Sequence, residues 1–149
     1  MVFLPMVAMA QAKPGEAATI ESVQVKGDAV PGGRVTAVVK VKLAKGYHIH
    51  SDQPSQPEFI PTVLKFGAVA GVKAGRVSYP PPKTERVKGL EKPLSLFEEQ
   101  FEISVPLGLS AAVKLPVSVP ATLSYQACQG AICYKPHDLK FEIPLAASK

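Results

Sequence analysis

The chain has no tryptophan, only two cysteines among 149 residues, and no apolar run long enough to cross a bilayer. A spanning helix needs about 20 consecutive apolar residues, so no transmembrane segment is expected. A sustained 3.6-residue period is missing too, and 15 prolines punctuate the sequence. Proline breaks helix interiors and is confined to turns and edges in sheets, so long helices are excluded. There is no Ser-His-Asp arrangement, phosphate loop or dinucleotide fingerprint. A cysteine pair in C-x4-C spacing has no clear second ligand pair, which speaks against a zinc site. The net charge of +5 is spread about one cation per strand or turn. Nucleic-acid binding would want clustered cations interleaved with exposed aromatics, so none is expected. A modest attraction to anionic membrane surfaces stays open.

What is present suits one globular domain: 46% hydrophobic and 19% charged residues. Residues 1–12 stand apart. Met1 to Ala10 is a short apolar run ending in Ala8-Met-Ala10, like the apolar region and cleavage site of a secretory signal, although the basic leading segment is missing. Residues 1–12 are therefore read as a truncated signal peptide, and 13–149 as the exported domain. The alternative, an opening β-strand, fits poorly with Pro5. Export would place the cysteines where a disulfide persists.

From Thr19 onward, strand patterns alternate with turn residues. Arg34 to Leu43 sets Val35, Ala37, Val39, Val41 and Leu43 on one side, as a strand with one wet face does. Leu96 to Leu107, Leu115 to Ala127 and Asp138 to Leu145 repeat the pattern, with shorter strands at 19–26, 46–50, 62–66 and 72–79. Residues 51–61 and 83–94 read as loops. Many short strands with turn signals between them predict an all-β antiparallel sandwich.

The two cysteines, Cys128 and Cys133, lie on a turn near the chain's end, with Gly130 able to supply a positive φ at its tip. If paired they close a ring of about six residues, worth roughly 2 kcal/mol of chain entropy. A staple would gain more by joining distant strands, so thiol–disulfide exchange stands beside an inert structural bond as two open readings. Lys135 and His137 could lower a thiol pKa, and Tyr125 and Tyr134 could wall the site. His48 and His50, two apart on a strand, point to one face. They read either as ordinary polar-face residues or as ligands sharing a metal with the cysteines or His137.

Several segments, taken in order, resemble the N-terminal periplasmic domain of the thiol:disulfide interchange protein DsbD. They are Leu43 to Ser51, Pro57-Glu-Phe-Ile-Pro-Thr62, Tyr79-Pro-Pro81, Phe97 to Leu107, and Leu123-Ser-Tyr-Gln-Ala-Cys128 followed by Cys133-Tyr-Lys-Pro136. The resemblance implies an immunoglobulin-like sandwich, no cofactor or resident metal, and a redox pair Cys128–Cys133 in a monomeric, periplasmic domain. It implies thioredoxin-like partners: a membrane-embedded electron donor acting through a thioredoxin-like domain, disulfide isomerases, and cytochrome c maturation thioredoxins. It also implies that Cys133 forms the mixed disulfide and Cys128 resolves it. The cysteine gap is one residue shorter than in the best-known members, and the acidic, aromatic cap loop of the family has no match in residues 85–97. Leu90, Leu94 or Phe97 are the candidates for an apolar lid there. The chain holds neither the membrane segments nor the thioredoxin-like domain, so a stand-alone homologue and a fragment are both open. So is a scaffold module with a fixed disulfide.

Overall fold

The computed structural model describes residues 16–147; the signal-peptide reading of residues 1–12 lies outside them. All its regular elements are strands. In chain order they are β1 (Ala18–Lys26), β2 (Arg34–Leu43), β3 (His48–His50), β4 (Val63–Phe66), β5 (Val72–Ala74) and β6 (Lys83–Glu85). Then come β7 (Leu94–Glu98), β8 (Gln100–Leu109), β9 (Val117–Tyr125), β10 (Ala127–Gln129), β11 (Ile132–Cys133) and β12 (His137–Leu145).

They form three antiparallel sheets, ordered β1-β2-β8-β5, β12-β9-β4 and β11-β10-β3-β7-β6. The expected all-β sandwich is what the chain builds. Alternation decides it: Val35, Ala37, Val39, Val41 and Leu43 of β2 meet Ile103, Val105 and Leu107 of β8 in one buried cluster. Val119, Ala121 and Leu123 of β9 and Ile143 and Leu145 of β12 close that cluster from the other side. Such packing of inward rows is how a sandwich removes apolar surface from water.

Three features depart from the sequence reading. The long strand expected over 96–107 is broken at Glu99, the one non-glycine residue with positive φ (55°) among those described. There the chain leaves the five-stranded sheet and enters the four-stranded one, and the Leu43 amide donates to the Glu99 carbonyl. The stretch 83–94, expected to be a loop, begins with β6, which pairs with β7. The expected strand 72–79 stops at Ala74; beyond it the Gly75 amide still donates to the Pro106 carbonyl and Ser78 makes an isolated bridge to Ser104.

A second change of sheet positions the cysteines. β9 runs in the three-stranded sheet as far as Tyr125. After Gln126 the same chain continues as β10 beside β3.

Candidate functional site

β10 and β11 form a hairpin with a two-residue connection, Gly130-Ala131, whose first residue has φ +56°. Glycine suits that position because it carries no Cβ to clash, and a glycine first is the mark of a type II′ hairpin turn. Cys128 and Cys133 are direct partners in the ladder. The Tyr134 amide donates to the Ala127 carbonyl next to them, so the cysteines fall on the non-hydrogen-bonded pair, where side chains approach most closely. Their Cα atoms are 4.0 Å apart and the sulfurs are joined. Cys128 is fully buried, whereas Cys133 is partly exposed and next to the solvent-facing Ile132.

Pairing across the sheet sets the wall of the site. Cys128 lies opposite His48, and Ala127 opposite Ile49. Directly opposite residues share a face and neighbours along a strand do not. Ala127 and Ile49 therefore face the core, while His48, His50 and the sulfurs share the other face. His50 Nε2 is 3.4 Å from Cys128 Sγ and 3.8 Å from Cys133 Sγ. The same ring is stacked on Phe59, centroid to centroid 4.4 Å. His50 is wholly buried, and its Nδ1 has no hydrogen-bond partner, nor has His48 Nε2. Burial, and secondarily the neighbouring His48, pushes His50 down to about 4. Burial also lowers His48, against the opposing pull of Glu98 across the ladder. His50 Nε2 and both sulfurs all lie within 4.8 Å of one another, the group among the described residues able to hold a metal.

The cover over this face is the loop 51–61. Ser51 Oγ and Ser95 Oγ are 2.7 Å apart, and the Thr62 hydroxyl donates to the His50 carbonyl, which fixes both ends of the loop. In between, the Ile60 amide donates to Gln126 Oε1 (3.0 Å), and Gln126 Nε2 donates to the Tyr134 carbonyl (3.2 Å). Phe59 is thereby held on the imidazole that touches the disulfide.

Several residues picked out from the sequence stand elsewhere. Tyr125 is fully buried in the core, where its hydroxyl accepts from the Ala18 amide. It is three residues from Cys128 along the strand and so faces away from it. Tyr134 pairs with Ala127 and bonds Gln129, near Tyr47; it backs the hairpin from the face opposite the sulfurs. Phe97 is opposite Ile49 and packs on Phe101 in the core, so it is not a lid. Leu94 does lie on the cysteine face, but on β7, two strands away from β10. Leu90 is partly buried in the β6–β7 connection. Lys135 is exposed, and His137 sits edge-on to Tyr125. Sequence reasoning missed Phe59. It lies in the matched segment Pro57 to Thr62, yet nothing local marks it as a cover.

The family model described as "Thiol:disulfide interchange protein DsbD, N-terminal" matches residues 16–144. The chain belongs to this family. Among solved structures, the N-terminal periplasmic domain of ScsB from Proteus mirabilis superposes with a TM-score of 0.63 at 14% identity. The match covers 91% of this chain but 49% of that one, so the chain spans about half the length of that domain. The DsbD N-terminal domain of Neisseria meningitidis, solved in its reduced form, gives a TM-score of 0.51 at 19% identity, over 89% of each chain. No curated protein matches the chain. At these identities the superpositions establish the shared fold. In this member of the DsbD N-terminal family the two cysteines are joined as the hairpin disulfide.

Proposed function

We propose that this domain carries reducing equivalents in the periplasm between thioredoxin-like partners, with Cys133 as the sulfur that is attacked. The observation that supports this order is the unequal exposure of one bonded pair: Cys133 is partly exposed at the hairpin edge and Cys128 has no exposure. A partner thiolate attacks Cys133 Sγ, the Cys128–Cys133 bond breaks, and Cys128 leaves as a thiolate that takes up a proton. A second partner thiolate then attacks the mixed disulfide and frees Cys133. The partner ends as a disulfide, and this domain as a dithiol holding two electrons and two protons. The same steps reversed reduce an acceptor. The donor is a thioredoxin-like domain of a membrane-bound reductase; the acceptors are disulfide isomerases and cytochrome c maturation thioredoxins. Ile132, 65% exposed beside Cys133, offers an apolar contact for each in turn.

The test is the redox midpoint of the folded domain in graded glutathione or dithiothreitol buffers, read by thiol trapping. A midpoint between about −270 mV, where thioredoxin lies, and about −120 mV supports exchange. A bond that opens only when the domain unfolds leaves a fixed staple and ends the proposal.

Phe59 sets access to the pair. Phe59→Ala removes the ring stacked on His50 while keeping the Ile60–Gln126 hydrogen bond, which is a backbone donor. Reduction of the folded protein by a small dithiol should become about tenfold faster, equivalent to roughly 1.4 kcal/mol of barrier. Stopped-flow kinetics at fixed reductant would show it; an unchanged rate means that Phe59 does not control entry.

A further inference from the structure

We propose that the reduced domain binds one monovalent copper ion through Cys128, Cys133 and His50. The inference rests on the exchange reading only in that the pair must open while the domain stays folded.

The geometry is already close to that of a metal centre. With metal–sulfur bonds of about 2.3 Å and a metal–nitrogen bond of about 2.0 Å, sulfur and nitrogen stand roughly 3.6 Å apart. His50 Nε2 is 3.4 Å from one sulfur and 3.8 Å from the other. Reduction breaks the one bond that keeps the sulfurs too close to each other to flank an ion. The imidazole needs no rotation, because the nitrogen facing the sulfurs is the one that would bind.

The donor set selects the ion. Two thiolates and an imidazole are soft to borderline ligands, and no carboxylate joins the group. Thiolate sulfur favours Cu(I), while magnesium, calcium and manganese want oxygen. Structural zinc wants four ligands; three donors with no fourth in reach suit trigonal Cu(I) better. Cys128 and His50 are fully buried and Phe59 covers the imidazole, so bulk water is kept from the fourth position, while the partly exposed Cys133 leaves a way in. Binding displaces one proton from each thiol to solvent and requires no change in the oxidation state of the metal. Metal uptake and disulfide formation then compete for the same sulfurs, so the site exists only in the reduced chain.

The experiment starts with anaerobic protein reduced by a phosphine, with two free thiols verified by trapping and the fold by circular dichroism. Cu(I) is then titrated in competition with bicinchoninate. One ion per reduced chain and none per oxidised chain is expected, with an X-ray absorption spectrum showing two sulfurs and one nitrogen at three-coordinate copper. His50→Phe, which keeps a ring against Phe59, should bind at least tenfold more weakly and lose the nitrogen. The wild-type spectrum decides by itself if that variant fails to fold. A pair that will not open in the folded chain overturns this inference and the exchange reading together. A pair that opens but takes up no copper, or a wild-type centre without the nitrogen, overturns the metal site alone.

Discussion

Cys133→Ala is expected to bring exchange with a thioredoxin-like partner down to the uncatalysed background, whereas Cys128→Ala should accumulate a mixed disulfide with that partner. The difference follows from where the sulfurs stand on one hairpin. Cys133 is the accessible member of the pair. Without it, the remaining thiol is buried beneath His50 and the ladder, and no attacking thiolate can line up with it. Without Cys128, the accessible thiol still reacts, but nothing on this chain can attack the intermolecular bond and release the partner. Both variants should fold, because the disulfide closes so short a ring that its loss costs about 2 kcal/mol. Non-reducing electrophoresis of each reduced variant with a thioredoxin-like protein whose single active-site cysteine is activated as a thionitrobenzoate mixed disulfide, from which thionitrobenzoate leaves as the variant's thiolate attacks, reads the outcome directly. Trapping by Cys133→Ala in place of Cys128→Ala would invert the assigned order.

The second large effect concerns acid. His50 in the oxidised domain is held down to about 4 by burial, and its ordinary value is 6.5. The sign follows from proton counting. Between those two values the unfolded chain binds a proton that the folded one refuses, so stability falls as pH drops from about 6.5 towards 4 and is fully present above 6.5. The shift corresponds to at most about 3 kcal/mol, a large share of the 5–15 kcal/mol typical of a domain. His48 is displaced in the same direction and will add to the slope. The His50 part is isolated by comparing oxidised wild type with oxidised His50→Phe in urea unfolding at pH 7 and pH 4.5. The variant should lose markedly less stability between the two. Parallel pH profiles would mean that the imidazole is protonated in the folded state without penalty.

Much of this molecule is legible in the sequence because strands with one buried face announce themselves. The alternating valines of β2 and the Leu139, Phe141, Ile143, Leu145 series of β12 need no tertiary information. The hairpin disulfide is legible as well: two cysteines around Gln-Gly-Ala-Ile fix a tight turn. The same period of two would have removed Tyr125 from the walls of the site, since an odd separation from Cys128 puts it on the other face. Other features had no local signal. Glu99 adopts a left-handed conformation that glutamate does not advertise, and it divides what alternation reads as one strand. β6 is Lys83-Thr-Glu85, entirely exposed, so hydrophobic patterning cannot find it. Phe59 and His50 meet through a loop whose path is set by Ser51, Thr62 and Gln126, contacts that are distant in sequence.

Gln126 sits where the chain passes from one sheet to the next, and its side-chain amide is engaged at both ends. Its oxygen holds the covering loop at Ile60, and its nitrogen holds the residue that follows Cys133. One primary amide therefore ties the cover to the strand that carries Cys133. If opening the cover weakens the hold on the strand after Cys133, reciprocity requires that loosening that strand favour opening by the same coupling free energy. A docking protein that competes for the Tyr134 carbonyl would in that way help to uncover the sulfurs it is about to attack, and an undocked domain would keep them shut against stray thiols.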